Sequence, residues 1–230
     1  MNFDGIIFDL DGTLWNATEI ELKSINDIIK NEYNVATITI DQLRSVMGVP
    51  LQEAASILFK EEKQVGIQIL EKSGNLLDSY LKKCKLDLLY DKVRETLNYL
   101  SKNYKLFIVS NCKKGYIETF LQTQNLIKMF NDFECNGNTN LSKGENIKLI
   151  IERNKIKNAV FVGDTISDKE ATDFANIPFV YAAYGFGNVE EYNYKIESID
   201  EIENVFNLCQ EGRRIMAKKD MFSMTKELFC

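Results

Sequence analysis

The sequence predicts an α/β fold in which a doubly wound parallel sheet carries an all-helical insertion after its first strand. Short, continuously apolar runs alternate with helical patterns from about residue 89 onward, as expected of strands buried on both faces of a parallel sheet. Between residues 16 and 88 the hydrophobic periodicity is helical, and no strand-like run occurs. The helical segment therefore interrupts the alternation directly after the first strand.

The individual elements follow from these patterns in chain order. The first strand is predicted at residues 4–8, and helical periodicity follows over residues 18–33, 41–47, 51–60 and 66–85. Thr18 and Thr39 are predicted helix N-caps, because Glu21 and Gln42 stand three residues later as capping-box partners. Further strands are predicted at residues 105–109, 132–135, 159–162 and 179–181, and helices at 92–102, 116–124, 144–154, 167–175 and 199–208.

The domain boundaries follow the same alternation. We expect a core formed by residues 1–15 and 89–209, a helical insertion formed by residues 16–88, and a C-terminal tail over residues 210–230. The chain crosses between core and insertion near residues 15–16 and 88–91, which are the candidate hinges. For the tail, we expect a helix packed on the core or a frayed end.

The composition restricts both the partners and the chemistry. Apolar residues make up 45% of the 230 residues, which permits a substantial core, and a net charge of −6 argues against a nucleic-acid partner. Histidine is absent, so any general acid–base must be a carboxylate, a lysine, a tyrosine or a cysteine. A histidine-based triad or zinc site is therefore excluded.

The cysteines and the hydropathy predict a cytoplasmic location. The cysteines show neither metal-ligand spacing nor a disulfide framework, and we expect reduced thiols at Cys84, Cys112, Cys135, Cys209 and Cys230. The sequence contains no leader pattern and no apolar run long enough to span a bilayer, so we expect no membrane partner. A monomer or weak homodimer is expected.

Two carboxylates stand at the end of the first predicted strand. The sequence Asp9-Leu10-Asp11-Gly12-Thr13 directly follows the apolar residues of that strand. In open α/β sheets, ligands bind at the carboxyl ends of the strands. Two carboxylates this close repel each other unless a cation lies between them or one holds a proton. A solvated turn is the alternative interpretation, because Asp, Gly and Thr are common turn residues.

Three more polar groups follow predicted strands or open the helices behind them. Ser110 and Asn111 follow the strand at residues 105–109. Lys143 stands directly before the helix predicted at residues 144–154. The strand at residues 159–162 ends in Gly163-Asp164-Thr165-Ile166-Ser167-Asp168. Taken singly, these groups are compatible with a turn, a solvated lysine and helix-capping carboxylates. Only their joint occurrence at strand ends indicates a common site.

The order D-x-D-G-T, S-N, K and G-D-x-x-x-D resembles the haloacid dehalogenase superfamily of phosphoryl-transfer hydrolases, from residue 1 to about residue 194. The resemblance implies a Rossmann-like core, a helical cap and a Mg²⁺-dependent phosphatase acting on small phosphate esters. Residues 43–51, L-R-S-V-M-G-V-P-L, resemble the cap signature of phosphoglycolate phosphatase-like members. There Arg44 or the loop at residues 48–50 would face the substrate, although an ordinary surface arginine is equally compatible with the sequence.

The resemblance assigns roles to the carboxylates. Asp9 would be the nucleophile that forms an aspartyl-phosphate, and Asp11 would protonate the leaving oxygen and then activate water. The Asp9 carboxylate, the Asp11 backbone carbonyl and the Asp164 carboxylate would hold Mg²⁺, which prefers oxygen ligands.

The resemblance also assigns the groups that surround the phosphate. Lys143 would pair with the phosphoryl oxygens and with the nucleophile, while Ser110 and the backbone amide of Asn111 would hydrogen-bond the same oxygens. Asp168 would hold a metal-bound water or orient Lys143, and Thr13 would support these groups from behind.

Rival interpretations remain at this stage. A phosphomutase of the same fold would use the same core residues, so the motifs do not reject it. A non-catalytic phospho-acceptor module also gathers carboxylates, a lysine and a hydroxyl at strand ends, but receivers lack the long insertion after the first strand. A regulatory protein with a decayed site is disfavoured because every core motif residue is present. Phosphoglycolate, sugar phosphates, nucleoside monophosphates and pyrophosphate are all open as substrates.

Overall fold

The computed structural model describes residues 3–206 and places a parallel sheet of six strands at the centre of these residues. The strands are β1 (Gly5–Phe8), β2 (Lys105–Ser110), β3 (Asp132–Cys135), β4 (Ala159–Gly163), β5 (Phe179–Ala182) and β6 (Tyr194–Ile196). Their order in the sheet is β3-β2-β1-β4-β5-β6, and every neighbouring pair is parallel. The predicted α/β class with a doubly wound parallel sheet is confirmed, and the strand order reverses beside β1.

Helices connect these strands. The insertion after β1 contains α1 (Thr18–Glu32), α2 (Ile40–Arg44), α3 (Leu51–Leu58) and α4 (Lys63–Lys83). The later connections contain α5 (Val93–Leu100), α6 (Tyr116–Thr123), α7 (Asn136–Thr139), α8 (Lys143–Asn154) and α9 (Ile166–Ala175). Short 3-10 helices lie at Ile127–Met129 and Ile199–Glu201. The crossovers therefore have the βαβ form that parallel strands require.

Both faces of the sheet are buried under helices. On one face, Phe8 packs in a cluster with Leu97 of α5 and Phe120 of α6. On the other face, the next residue back, Ile7, packs in a second cluster with Ile147 of α8. Alternate side chains of β1 thus enter opposite halves of the core, which explains why the strand is continuously apolar in sequence.

The insertion has a hydrophobic cluster of its own. Ile25 of α1, Leu43 of α2 and Ile69 of α4 are buried together in it. The insertion also rests on the core, because Leu77 and Leu81 of α4 belong to the cluster that covers the sheet. The four helices therefore form a separate layer above the carboxyl ends of the strands.

The two chain crossings into the insertion lie side by side. The Asn16 amide donates to the Leu88 carbonyl at 2.8 Å, and the Tyr90 amide donates to the Leu14 carbonyl at 3.1 Å. These bonds form where the sequence predicts the hinges. The division into a core and a cap of residues 16–88 stays a prediction.

The start of α1 differs from the prediction. Thr18 is the first residue of the helix rather than its N-cap, and Asn16 Oδ1 accepts hydrogen bonds from both the amide and the hydroxyl of Thr18. The predicted Thr18–Glu21 capping box is therefore wrong, since an asparagine two residues earlier binds the free groups of the first turn. The second predicted box is confirmed, because the Gln42 amide donates to the Thr39 hydroxyl at 3.2 Å and the Thr39 amide donates to the Gln42 side chain at 2.8 Å.

Other differences are at the edges of the fold. The sequence pattern missed β6, which has only three residues and too short a run to show alternation. The predicted helix at residues 199–208 begins as a 3-10 turn and is helical over residues 202–206. The predicted tail of residues 210–230, with Cys209 and Cys230, lies outside the described residues. Among residues 3–206, no helix combines the length and the apolar character needed to cross a membrane.

Candidate active site

The polar side chains identified from the sequence meet at the carboxyl ends of the central strands. Asp9 follows β1, Ser110 ends β2, and Asp164 follows β4, so the three residues come from adjacent strands. Lys143 enters the same place from the first turn of α8, and Asp168 enters from the first turn of α9. The meeting point lies beside β1, where the strand order reverses and open α/β sheets bind ligands.

A buried lysine joins two of the carboxylates. The Lys143 Nζ atom donates to Asp9 Oδ1 at 2.8 Å and to Asp168 Oδ1 at 2.6 Å. All three residues are at most 4% exposed. Burial alone would lower the pKa of Lys143, but the Asp168 and Asp9 carboxylates outweigh it and hold that pKa well above its usual range. Lys143 is therefore a fixed positive charge beside Asp9.

The position of Lys143 is set by the start of its helix. The Ser142 hydroxyl accepts from the Glu145 amide at 3.3 Å, and the Glu145 carboxylate accepts from the Ser142 amide at 2.8 Å. This reciprocal capping box fixes the first turn of α8. The backbone of Lys143 is therefore held in place, and its side chain extends to Asp9 at the carboxyl end of β1.

Asp168 uses both oxygens for structural contacts. Its Oδ2 atom accepts from the Asp164 amide at 3.1 Å, from the Thr165 amide at 2.9 Å and from the Thr165 hydroxyl at 2.8 Å. Its Oδ1 atom accepts from Lys143. Of the two roles predicted for Asp168, these contacts favour orientation of Lys143 over a contact to a metal-bound water.

Asp164 is held in a tightly packed pocket of backbone. Its Oδ1 atom accepts from the Thr13 hydroxyl at 3.1 Å, and its Oδ2 atom accepts from the Phe186 amide at 2.7 Å. A Cβ atom added to Gly12 would lie 2.3 Å from Asp164 Oδ2, and one added to Gly185 would lie 2.3 Å from the Asp164 Cβ. Gly12 also has a φ of +88°. Both the conformation and the close approach therefore require glycine after the second aspartate.

The side chain of Asp11 is held by a hydrogen bond from Tyr116, a residue that the sequence did not indicate. The Tyr116 hydroxyl donates to Asp11 Oδ1 at 2.9 Å, and the Tyr116 ring packs against Trp15 with centroids 5.5 Å apart. Burial and the nearby Glu21 carboxylate raise the pKa of Asp11 to about 7, although the Tyr116 hydrogen bond opposes the shift. No sequence signal identified Tyr116, because a tyrosine that opens an amphipathic helix is typical of core packing.

The carboxylates carry more negative charge than the lysine offsets. Burial and the charge of Asp168 raise the pKa of Asp9 to about 7, despite the contact with Lys143. Burial and the charges of Asp168 and Asp9 raise the pKa of Asp164 to about 8. Oxygens of these three carboxylates all lie within 4.8 Å of one another. A hard divalent cation such as Mg²⁺ fits the oxygens of Asp9 and Asp164, because it binds oxygen and neutralises the excess charge.

The site opens into a cavity between the insertion and the core. The cavity measures about 150 Å³, and the core lines it with Asp9, Asp11, Ser110, Asn111, Cys112, Lys113 and Tyr116. The Asn111 side-chain amide donates to the carbonyl of Gly48 in the insertion at 2.8 Å. A Cβ atom on Gly48 would lie 3.0 Å from Thr165 of the core. The insertion therefore touches the core at the cavity rim, and Asn111 uses its side chain for that contact.

Arg44 is not brought into the cavity. Its side chain is exposed, and the cavity is lined instead by its neighbours Leu43, Val46 and Met47. The charge of Arg44 acts on Tyr90, whose pKa burial raises and Arg44 partly lowers. A substrate contact by Arg44 stays a prediction.

The structure thus combines a parallel α/β core, a carboxylate–lysine cluster at its strand ends and an inserted helical layer. Residues 6–182 match the family model described as haloacid dehalogenase-like hydrolase. The match covers more than half of the chain, and the protein belongs to this family of enzymes. A comparison with curated proteins gave no match.

Solved structures share the fold. A haloacid dehalogenase-like family hydrolase from Streptococcus pneumoniae is 20% identical, with a TM-score of 0.77 over 89% of this chain and 99% of that chain. A predicted phosphatase from Clostridium acetobutylicum is 22% identical, with a TM-score of 0.76 over 89% and 98%. A predicted phosphoglycolate phosphatase from Haemophilus somnus is 22% identical, with a TM-score of 0.77 over 89% and 98%. The agreement extends over the helical insertion as well as the sheet.

The raised carboxylate pKa values predict that stability without a divalent metal falls as the pH rises. Asp9, Asp11 and Glu21 have a pKa of about 7 and Asp164 of about 8 in the folded protein, above the values of about 4 expected when unfolded. The folded state therefore binds protons more tightly, and deprotonation between about pH 5 and pH 8 weakens it by on the order of a few kcal/mol.

The measurement is the free energy of unfolding in EDTA across this pH range, repeated with Mg²⁺, which should flatten the profile. Asp4 has a lowered pKa and acts in the opposite direction, but only below about pH 4. Stability in EDTA that is constant or rises from about pH 5 to pH 8 would contradict the charge excess.

Proposed function

We propose that the protein is a Mg²⁺-dependent phosphatase of small phosphorylated metabolites that works through an aspartyl-phosphate on Asp9. The observation that carries the proposal is the buried Lys143 Nζ, which lies 2.8 Å from Asp9 Oδ1 and leaves Oδ2 without a lysine contact. A cation held against one carboxylate oxygen admits an anionic phosphoryl group to the other. Membership of a hydrolase family, and fold neighbours described as phosphatases, favour hydrolysis over isomerisation.

In the first step, the Asp9 carboxylate attacks phosphorus and the bond to the leaving oxygen breaks. Lys143, the Ser110 hydroxyl and the Asn111 backbone amide would bind the phosphoryl oxygens, whose charge grows in the transition state. Ser110 is 5% exposed and lines the cavity beside Asp9, which supports this role. The products of the step are an acyl-phosphate on Asp9 and an alcohol.

Asp11 moves the protons in both steps. With a pKa of about 7, it holds a proton in a substantial fraction of molecules near neutral pH and gives that proton to the leaving oxygen. It then takes a proton from the water that hydrolyses the acyl-phosphate. Burial and the charge of Asp11 raise the pKa of Tyr116 well above its usual range, so the tyrosine remains a hydrogen-bond donor that fixes the Asp11 carboxyl group.

The metal site would be formed by the Asp9 carboxylate, the Asp11 backbone carbonyl and the Asp164 carboxylate. When bound, Mg²⁺ supplies the positive charge that lets a phosphate dianion approach an anionic nucleophile. Thr13 and the Phe186 amide leave lone pairs of Asp164 available, since each donates a single hydrogen bond to it.

We also propose that residues 16–88 act as a cap. The contacts of Gly48 with Asn111 and Thr165 close the cavity rim, and closure excludes bulk water from the acyl-phosphate until the alcohol leaves. A cavity of about 150 Å³ suits a small phosphate ester. A cytoplasmic location, action as a monomer or weak homodimer, and the absence of nucleic-acid and membrane partners stay predictions.

Metal removal tests the proposed function. Phosphate release from a panel of small phosphate esters should disappear in EDTA and return with Mg²⁺, because Lys143 alone leaves the carboxylates under-neutralised. Ca²⁺ should restore it poorly, since its larger and more flexible ligand shell would misplace the nucleophile. Undiminished turnover in excess chelator would refute the proposed mechanism.

Replacement of Asp11 tests the acid–base assignment. Asp11→Asn should reduce turnover of an alkyl phosphate by about 10²–10⁴-fold, because the amide neither protonates the leaving oxygen nor activates water. The loss should be smaller on p-nitrophenyl phosphate, whose leaving group needs little protonation. Steady-state rates of wild type and variant on both esters give the comparison, and Mg²⁺ affinity should be retained. Equal losses on both substrates would point to a positioning role for Asp11.

A further inference from the structure

The insertion gives the cavity an aliphatic wall with one charged group. Its lining side chains are apolar or glycine, as in Val46, Met47 and Leu77, except for Glu21 and Ser73. The Ser73 hydroxyl donates to the Leu70 carbonyl at 3.0 Å, so its proton is already engaged within α4. Glu21 is therefore the polar group that this wall offers to a substrate.

The carboxylate of Glu21 is unpaired within the described part of the chain. Glu21 lies in the first turn of α1, half-buried, and within residues 3–206 its carboxylate forms neither a hydrogen bond nor an ion pair. Burial raises its pKa to about 7, which reflects the unfavourable free energy of an unpaired carboxylate in this wall. A cation brought into the cavity would remove that penalty.

Among the described residues that line the cavity, no basic side chain is unpaired. Lys113 is the basic residue in its lining, and its Nζ is paired with Asp78. Its side chain is also packed against α4, since a Cβ atom on Gly74 would lie 2.9 Å from Lys113 Cδ. Lys143 is bound between two aspartates, and Arg44 is exposed outside the lining. Beyond the proposed metal, an anionic leaving group would therefore meet no unpaired basic side chain among the described residues that line the cavity.

The volume of the cavity limits the size of the leaving group, because the phosphoryl group occupies part of it. The cavity of about 150 Å³ includes Asp9 and Ser110, so the phosphoryl group and the leaving group share it. This is below the roughly 300–1,000 Å³ of sites for drug-sized ligands. Beside a phosphate, such a volume favours a chain of a few atoms over a nucleoside.

We infer that the substrate is a phosphate monoester of a short aliphatic amino alcohol, and that Glu21 binds its ammonium group and determines this specificity. The inference rests on the proposed phosphatase activity. The aliphatic wall would contact the methylene groups, and Glu21, which lies near Asp11, would pair with the nitrogen of the leaving group. A leaving group that carries a carboxylate, such as glycolate, is disfavoured by repulsion from the Glu21 carboxylate.

The test compares three esters whose short leaving groups end in different chemical groups: 2-aminoethyl phosphate, propyl phosphate and carboxymethyl phosphate. The first has an ammonium group, the second a methyl group and the third a carboxylate. The kcat/KM of the wild type should be highest for the aminoethyl ester, by about tenfold or more over propyl, as expected of a charge-assisted contact. It should be lowest for the carboxymethyl ester.

Two variants assign the preference to one side chain. Glu21→Gln should bring the aminoethyl-to-propyl ratio close to one. Glu19→Gln, which removes an exposed carboxylate from the same turn of α1, should leave the ratio unchanged. Because Glu21 lies near Asp11, its replacement will alter the rates on all esters. That common factor cancels in the ratio, whereas loss of discrimination does not.

The outcomes separate the inference from the proposed function. A preference for carboxymethyl or propyl phosphate over the aminoethyl ester would overturn the inference, as would an unchanged ratio in Glu21→Gln. Turnover of p-nitrophenyl phosphate in those cases would leave the phosphatase assignment standing. No release of phosphate from any ester, p-nitrophenyl phosphate included, would overturn the proposed function and the inference with it.

Discussion

The buried ion-pair triad of Lys143, Asp9 and Asp168 is the constraint on which the site depends. Taking a lysine out of water is costly, and here two carboxylates at 2.8 and 2.6 Å compensate it. The triad ties the end of β1 to the first turns of α8 and α9, so the lysine also fixes the geometry of three segments. Removing one member of such a buried group typically costs about 3–5 kcal/mol, because the others are left uncompensated.

The residual negative charge explains much of what surrounds the triad. Asp164 is packed against Gly12 and Gly185 so closely that its carboxylate lies beside Asp9, and the pKa values of both rise. The negative charge that destabilises the metal-free fold is the charge that a divalent cation would neutralise. The insertion covers this region with a mainly aliphatic wall. The acidic residue that the insertion contributes to the cavity lining, Glu21, adds to the negative charge instead of reducing it. Stability and proposed function thus have opposite electrostatic requirements.

The sequence predicted the parallel core, the helical insertion and the residues at the strand ends, because each rests on a local pattern. Apolar runs marked the strands buried on both faces, and the capping box beginning at Ser142 stands beside Lys143 in the sequence. Contacts between distant segments had no such signal. Tyr116 looked like a core residue of α6, and Glu21 looked like a helix-capping partner, yet both lie beside Asp11 in the folded chain. The predicted contact of Arg44 with the substrate came from a resemblance in the insertion. Which side chains of the insertion face the cavity depends on the orientation of its helices, which the sequence does not show.

Detection of the covalent intermediate tests the central claim most directly. Wild type and Asp11→Asn are mixed with p-nitrophenyl phosphate and Mg²⁺, quenched in acid within the first turnover, and digested for mass spectrometry. The account predicts a phosphoryl group on the peptide that contains Asp9, with greater accumulation in Asp11→Asn, since water activation is then slowed. The same peptide from Asp9→Asn should carry none. Turnover without phosphorylation of Asp9, or with the phosphoryl group on another residue, would contradict the account.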